Sequence, residues 1–170
     1  MTGVQTCALP ISPQVLEYLR PWVDLYKVDL KSFDEQHYHH LGGRLQPIVE
    51  TIRRLYALGF WLEIVTLVIP GFNDSDEELT RLAEFLAGVS PDIPWHVTAF
   101  HKDYKMTDPD NTSPETLIRA AEIGKKAGLR YITSMRAIFP ARWVISRTRV
   151  APIATSSLSN VSGISLPTTV

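Results

Sequence analysis

Short apolar runs that are typical of strands alternate with helical patterns from residue 12 to residue 132, and this alternation restricts the fold more than any other feature. The runs fall at residues 25–31, 61–69, 95–100 and 129–132. The second run, "FWLEIVTLVIP", is β-branched and nearly continuous in apolar residues, as is typical of a strand covered on both faces. Because a helix separates each run from the next, we predict that the strands lie parallel in one α/β sheet.

Serine caps and glycine stops set the bounds of the predicted helices. The predicted N-caps are Ser12, Ser75 and Ser113. Glu78 stands three residues after Ser75, which is a capping-box pattern. Gly59 and Gly128 stand where two of the helices should end.

Two parallel folds agree with this order of elements, a doubly wound sheet and a (β/α) barrel. No glycine-rich phosphate loop follows a strand, which weakens the nucleotide-binding doubly wound alternative. Polar residues instead follow three strand ends, at Asp29 and Lys31, at residues 70–74 and at residues 101–104. Barrel enzymes carry their chemistry at this end of the strands. We therefore predict a partial (β/α) TIM-type barrel, its carboxyl-terminal half, with parallel strands and outer helices.

Composition excludes some classes of partner. Hydrophobic residues make up 45% of the 170 residues, charged residues make up 21%, and the net charge is -1. This balance indicates neither a nucleic-acid surface nor an anionic-membrane surface. No apolar run approaches about 18 residues, so no transmembrane helix is predicted.

The two ends of the chain differ from the middle. Residues 1–11, "MTGVQTCALPI", resemble the translation of a sequencing-library adapter, and we interpret them as an adapter-derived artefact outside the fold. They contain Cys7, the single cysteine, which therefore supports no redox or metal site. Residues 133–170 have no helical or strand period and finish in serine and threonine, so we expect an out-of-frame or disordered tail.

Asp29 and Lys31 end the first predicted strand and are the first candidate site. Being two residues apart, they point to the same face, which is the barrel interior if Val28 and Leu30 pack outward. Charged residues are rarely buried unless they are paired or used. Lys31 could form a Schiff base in an aldolase-like enzyme, or could simply pair with Asp29 inside the barrel. The residue types alone leave both alternatives open.

The histidines give weaker signals. His37, His39 and His40 lie in "FDEQHYHHLGG", which lacks the HExxH spacing that places two metal ligands on one helical face. We predict an exposed polar loop there. His101 stands at a strand end, where a lone histidine is more often structural than catalytic.

Four motifs, in this order and spacing, resemble those of radical S-adenosylmethionine (SAM) enzymes. They are "VDLKSF", "TLVIPGFND", "DIPWHVTAFHKDYKMTD" and "AGLRYI". The branch that they resemble most is related to pyruvate formate-lyase activating enzyme and is called AmmeMemoRadiSam. The resemblance covers residues 12–132. It implies a partial (β/α) barrel, a 4Fe–4S cluster and reductive cleavage of SAM to a deoxyadenosyl radical.

The resemblance also implies roles for three residues. Asp29 and Lys31 match an Asp-x-Lys motif beside the methionyl end of SAM, where the Asp also helps to bind a monovalent cation. A lysine suits a carboxylate, and an aspartate suits a cation or an ammonium group. His101 matches a strand-end histidine near the adenine. A reductant such as flavodoxin or ferredoxin is implied, with an unidentified substrate for which a protein is one option.

The chain departs from the family in one respect. The CxxxCxxC motif, whose three thiolates hold the cluster, is missing, so we expect the chain as given to be inactive and assign no catalytic residue. A second reading frame from Ile132 onward permits the motifs with which family members continue, which favours an out-of-frame tail. A Schiff-base enzyme using Lys31 and a half barrel without function of its own remain the alternatives.

Overall fold

A four-stranded parallel sheet in the order β1-β2-β3-β4 forms the centre of the chain. The computed structural model describes residues 12–105 and 107–135. The strands are β1 (Leu25–Asp29), β2 (Trp61–Val68), β3 (Trp95–Ala99) and β4 (Ile132–Met135). The helices are α1 (Pro13–Leu19), α2 (Glu35–His40), α3 (Leu45–Ala57), α4 (Asp76–Val89) and α5 (Pro114–Lys126). The predicted α/β class and the parallel pairing of all four strands are confirmed.

Two elements differ from the sequence-based predictions. The last strand begins at Ile132 instead of residue 129, because the Leu129 amide caps α5 through the Gly124 carbonyl and the Arg130 amide bonds the Pro91 carbonyl. The segment around His37 is the helix α2, so the prediction of an exposed loop there was wrong. The assignment of residues 1–11 lies outside the described residues, and so does the predicted tail except for residues 133–135, which belong to β4.

One face of the sheet is buried under helices. Along β2 the residues Leu62, Ile64, Thr66 and Val68 are buried, whereas the alternate residues are partly or largely exposed. This period of two is what a strand requires when only one of its faces is covered. The helix α5 packs on β3, β4 and α4, and α3 packs on β2. The other face, called the open face below, carries the alternate strand residues, among them Lys27, Asp29, Glu63, Val65, Leu67, His96, Thr98 and Thr133.

A chain of hydrogen bonds connects three strands inside the core. The fully buried Trp95 donates from Nε1 to Thr66 Oγ1 over 2.9 Å, and Thr66 Oγ1 donates to the Leu30 carbonyl over 2.9 Å. Buried polar atoms are tolerated when they are satisfied in this way. The bonds hold β3, β2 and the end of β1 together beneath the helices.

None of the helices within residues 12–105 and 107–135 has the length and apolar composition of a membrane-spanning segment.

Gly124 in α5 provides a test of how closely this helix packs on the sheet. A Cβ at Gly124 would meet Ile132 Cδ1 at 2.8 Å and Trp95 ring carbons at 2.9 Å, whereas a Cβ at Gly88 in α4 would meet nothing within 4 Å. We expect Gly124→Ala to lower the free energy of unfolding by about 1–3 kcal/mol through overpacking. The control Gly88→Ala should raise it by up to about 1 kcal/mol through helix propensity. Urea denaturation measures both, and equal effects would contradict the packing.

Candidate functional site at the carboxyl ends of the strands

The segments after β1, β2 and β3 meet at one edge of the sheet because the strands are parallel. Lys31 follows β1, residues 70–74 follow β2, and His101 follows β3. Neighbouring strands lie about 4.8 Å apart, so β1 and β3 are separated laterally by roughly 10 Å across β2. His96 lies level with Asp29, and β3 continues beyond it to Ala99. The topology therefore brings the sequence-predicted residues Asp29, Lys31 and His101 to the same rim. That they bind one ligand together stays a prediction.

Asp29 and Lys31 form an ion pair at this rim. Lys31 Nζ lies 3.2 Å from Asp29 Oδ2, and each side chain is 34% exposed. Leu30 between them is fully buried against the helices, so the two charges lie toward the open face. A half-exposed pair contributes little to stability, because solvent screens it. The pair is therefore better placed to meet a charged ligand than to hold the fold together.

The backbone of Lys31 is held from both sides. Its amide donates to Tyr38 Oη over 3.1 Å, and its carbonyl accepts a hydrogen bond from Asn73 Nδ2. The same Nδ2 donates to the Leu67 carbonyl over 2.8 Å, while Asn73 Oδ1 accepts from the Ile69 amide over 2.6 Å. Asn73 is only 2% exposed. Its amide therefore joins the end of β1 to the end of β2.

The turn that carries Asn73 is the Pro-Gly-Phe-Asn-Asp segment after β2. Gly71 has a φ of +71°, a conformation that favours glycine, and its amide donates to Asp74 Oδ1 over 2.8 Å. The backbone amide of Asn73 donates a hydrogen bond to the Ile69 carbonyl over 3.3 Å, which closes the turn. The turn thus directs the Asn73 side chain back toward the strands.

Glu78 in the first turn of α4 connects this helix to the loop after Lys31. Its side chain is buried, and Oε1 accepts a short hydrogen bond from Ser32 Oγ and a second from the Phe33 amide at 2.8 Å. Its Oε2 lies 3.2 Å from His37 Nδ1. The His37 ring also packs on Phe72, with 4.3 Å between ring centroids.

The Ser32, His37 and Glu78 cluster is structural. Ser32 Oγ and the Glu78 carboxylate both approach the same ring nitrogen, Nδ1 of His37, whereas a Ser-His-acid triad uses the two ring nitrogens separately. Ser32 is also only 1% exposed, so a substrate has no access to its hydroxyl. The cluster holds the loop that begins at Lys31 against α4.

The helix α2 forms because Asp34 caps it. Asp34 Oδ1 accepts hydrogen bonds from the Gln36 and His37 amides at 2.8 and 3.1 Å. The hydrogen bond from the His37 amide is the main cause that lowers the pKa of Asp34. Tyr38 is the one buried residue of this short helix, so the sequence shows too little apolar period to reveal it.

His101 starts a loop that is anchored at its base. The preceding Phe100 amide donates to Thr112 Oγ1 over 2.8 Å, and Thr112 Oγ1 donates to the Val68 carbonyl over 2.6 Å. His101 Nδ1 lies 3.3 Å from Asp103 Oδ1, and the imidazole is 40% exposed. Further along, Lys102 Nζ lies 2.7 Å from Asp110 Oδ1 and lowers the pKa of that carboxyl.

Metal ligation is not apparent in the structured part of the chain. Within residues 12–105 and 107–135, no group of three or more His, Cys, Asp or Glu side chains could hold a metal ion. The single cysteine, Cys7, lies outside these residues. A role of Asp29 toward a monovalent cation stays a prediction.

Sequence reasoning missed the residues that hold the site. Tyr38, Asn73, Glu78 and Thr112 are buried and bond the segments that carry Lys31 and His101. Glu78 was interpreted only as a capping-box partner, but its side chain turns to the loop after β1. The buried polar turn after β2 offered a signal for Asn73, because an asparagine there can replace lost strand hydrogen bonds.

The chain is similar to several known proteins, although no family model matches it. It is 32% identical over 111 residues to an uncharacterized protein of Methanocaldococcus jannaschii, covering 65% of this chain and 33% of that protein. It is 38% identical over 85 residues to the benzylsuccinate synthase activating enzyme of Thauera aromatica, covering 49% of this chain and 26% of that one. With the isethionate sulfite-lyase activating enzyme of Oleidesulfovibrio alaskensis it shares 32% over 101 residues, 56% of this chain and 32% of that one.

Two solved structures have a fold similar to that of this chain. A domain of pyruvate-formate lyase-activating enzyme from Bacteroides vulgatus matches with a TM-score of 0.63 and 25% identity, over 73% of this chain and 74% of that one. A radical SAM methyltransferase from Sphaerobacter thermophilus matches with a TM-score of 0.62 and 18% identity, over 76% and 38%. The predicted partial-barrel α/β fold is confirmed. The chain spans about a third or less of the length of the curated relatives it matches.

Removing the side-chain amide of Asn73 should weaken the connection between β1 and β2. We expect Asn73→Ala to lower the free energy of unfolding by about 1–3 kcal/mol, because it leaves buried backbone groups without partners. The exposed Asn111, which bonds the Lys102 amide, provides the control Asn111→Ala, with a smaller loss. Urea denaturation measures both. Equal losses would show that Asn73 is not the connection between the strands.

The Asp34 cap predicts a defined pH dependence. Its pKa is lower in the folded state than in the unfolded chain, so its stabilising effect is present above the unfolded pKa and is lost as the pH falls through the folded pKa. At pH 7 we expect Asp34→Ala to cost about 1 kcal/mol. Thermal unfolding should show this difference shrinking with acid, below the unfolded value of about 4. A difference that is independent of pH would rule out the cap.

Proposed function

We propose that the rim formed by Asp29, Lys31 and His101 binds S-adenosylmethionine, and that the chain acts as part of a radical SAM protein related to the activating enzymes. The observation that carries this proposal is the Asp29–Lys31 ion pair, which lies at the carboxyl edge of the sheet with its backbone held from both sides. The likeness to two activating enzymes and to a domain of a third supports it.

The donor set at the rim fits the methionyl end of SAM. Lys31 offers an ammonium group to the SAM carboxylate, and Asp29 offers a carboxylate to the SAM ammonium group or to a monovalent cation beside it. His101, which follows β3 at the same edge of the sheet, would contact the adenine end. When it is bound beside a reduced 4Fe–4S cluster, SAM supplies a radical that abstracts a hydrogen atom.

The iron–sulfur cluster itself does not fit this chain. Such a cluster requires three thiolates besides the position that SAM takes, and the chain has one cysteine, Cys7. The proposal therefore assigns cofactor binding to these residues and no turnover to the chain as given.

Finer assignments belong to the same proposal. The motif "DIPWHVTAFHKDYKMTD" supports the AmmeMemoRadiSam branch. The names of the related activating enzymes support a protein as the substrate. The proposal also includes a cytoplasmic location and a flavodoxin or ferredoxin as the reductant.

The structure does not favour the Schiff-base alternative. A Schiff-base lysine needs a desolvated amine, whereas Lys31 is one third exposed and paired with Asp29 over 3.2 Å.

Titration of the 170-residue chain with SAM, followed by NMR and calorimetry, tests the proposal. We expect saturable binding that perturbs the resonances of Asp29, Lys31 and His101. Lys31→Met removes a charge-assisted hydrogen bond and should weaken binding by about ten- to a hundredfold. The control Lys125→Met replaces an exposed lysine at the end of α5 and should leave the affinity unchanged.

Free methionine and adenosine, used as separate ligands, test which end of SAM Lys31 binds. Lys31→Met should abolish the response to free methionine and keep the response to adenosine, because the lysine is assigned to the carboxylate end. Absence of saturable SAM binding, or equal affinities of the Lys31 and Lys125 variants, would sink the proposal.

A further inference from the structure

A group of polar side chains crosses the open face next to the rim. It consists of Lys27 on β1, Glu63 on β2, His96 on β3 and Thr133 on β4, and is called the polar belt here. The strand register pairs Lys27 with Glu63, and it pairs Val65 with both Asp29 and His96, while His96 also pairs with Thr133. Lys27 and Glu63 therefore lie about 7 Å below Asp29 along the strands, whereas His96 and Thr133 lie level with it. The belt belongs to the same face but not to the SAM-binding residues.

Glu63 is the centre of the belt. Its Oε2 lies 3.8 Å from Lys27 Nζ and 3.3 Å from His96 Nε2, and its Oε1 accepts from Trp61 Nε1 over 3.3 Å. The Lys27 ammonium is therefore too far away for a hydrogen bond to Oε2. Oε2 retains capacity to accept a hydrogen bond.

His96 leaves a buried nitrogen unsatisfied. Its Nδ1 lies 2.5 Å from Thr133 Oγ1, whereas its Nε2 is buried and makes no hydrogen bond within the described part of the chain. The 3.3 Å contact of Nε2 with Glu63 Oε2 lacks the alignment of a hydrogen bond. An unpaired buried polar atom is unfavourable and rare in folded proteins, so it requires an explanation, of which a bound ligand is one.

The two groups together form a convergent pair of acceptors. If Nδ1 carries the proton and donates to Thr133, then the lone pair of Nε2 and the carboxylate oxygen of Glu63 point into the same small region. Two acceptors at 3.3 Å repel each other unless a hydrogen-bond donor lies between them. Their side chains are 15% and 22% exposed on the open face, whereas Nε2 itself is buried, so a ligand must displace the groups that cover this nitrogen to reach it.

We propose that Glu63 and His96 bind a hydrogen-bond-donating group, an amine, amide N–H or hydroxyl, of the molecule on which the radical acts. This inference rests on the proposed function, because that function places SAM at the rim and its substrate on the same face. The pair would hold the substrate's polar group on the same face as the cofactor, on the strands next to Asp29. Neither residue is assigned a proton transfer.

Long-range ¹H–¹⁵N NMR of the imidazoles in the full chain tests the pair, with methylammonium chloride as the probe. We expect neutral His96 to carry its proton on Nδ1 and its Nε2 resonance to shift saturably with methylammonium. Tetramethylammonium, which has the same charge but no N–H donor, should have no effect. Glu63→Gln should weaken the methylammonium response at least tenfold, whereas Glu84→Gln, an exposed glutamate of α4, should not change it.

The unaltered chain alone can overturn the inference. A neutral His96 with its proton on Nε2, bonded to Glu63 and insensitive to methylammonium, would show a closed structural pair. Equal responses to the two ammonium ions would also exclude a donor site. SAM binding is read separately from the Lys31 resonances, so loss of the belt response with SAM binding retained contradicts only this inference. Loss of SAM binding with the belt response retained contradicts the proposed function.

Discussion

The candidate site depends on the hydrogen bonds of the Asn73 side-chain amide. Parallel strands cease to pair at their carboxyl ends, where carbonyl groups lose their partners. The Asn73 side chain donates to the carbonyls of Lys31 and Leu67 and accepts from the amide of Ile69, so it replaces those lost bonds. Because Asn73 is almost fully buried, solvent cannot take its place at low cost. Lys31 is therefore held in place at the point where the strand ends.

The two faces of the sheet have different tasks. On the covered face, Trp95 and Thr66 satisfy their polar atoms inside an apolar core. On the open face, the charges of Asp29, Lys31 and Glu63 remain partly accessible. A strand separates these two environments residue by residue, because successive side chains point to opposite faces. The helices cover one face, and the side chains of the other face stay partly exposed within the described part of the chain.

The rim and the polar belt are two neighbouring groups of side chains on that open face. The rim carries both signs of charge, which suits a zwitterion such as the methionyl end of SAM. The belt offers converging acceptors at Glu63 and His96, which suit a neutral or cationic donor. The likeness to activating enzymes concerns the fold and the rim motifs, whereas the belt is argued from its own contacts. Ligand binding at the rim and at the polar belt can therefore be tested independently.

The sequence by itself determined the α/β class, the parallel order and the placement of Asp29, Lys31 and His101 at strand ends, because alternation of strand and helix patterns is a local property. It predicted the wrong conformation around His37, since α2 depends on an Asp34 cap and one buried Tyr38 more than on a period. Only the tertiary structure decided how Asn73, Glu78 and His96 are used. Their distant partners lie 33 to 46 residues away in sequence, and such contacts leave no periodic signal.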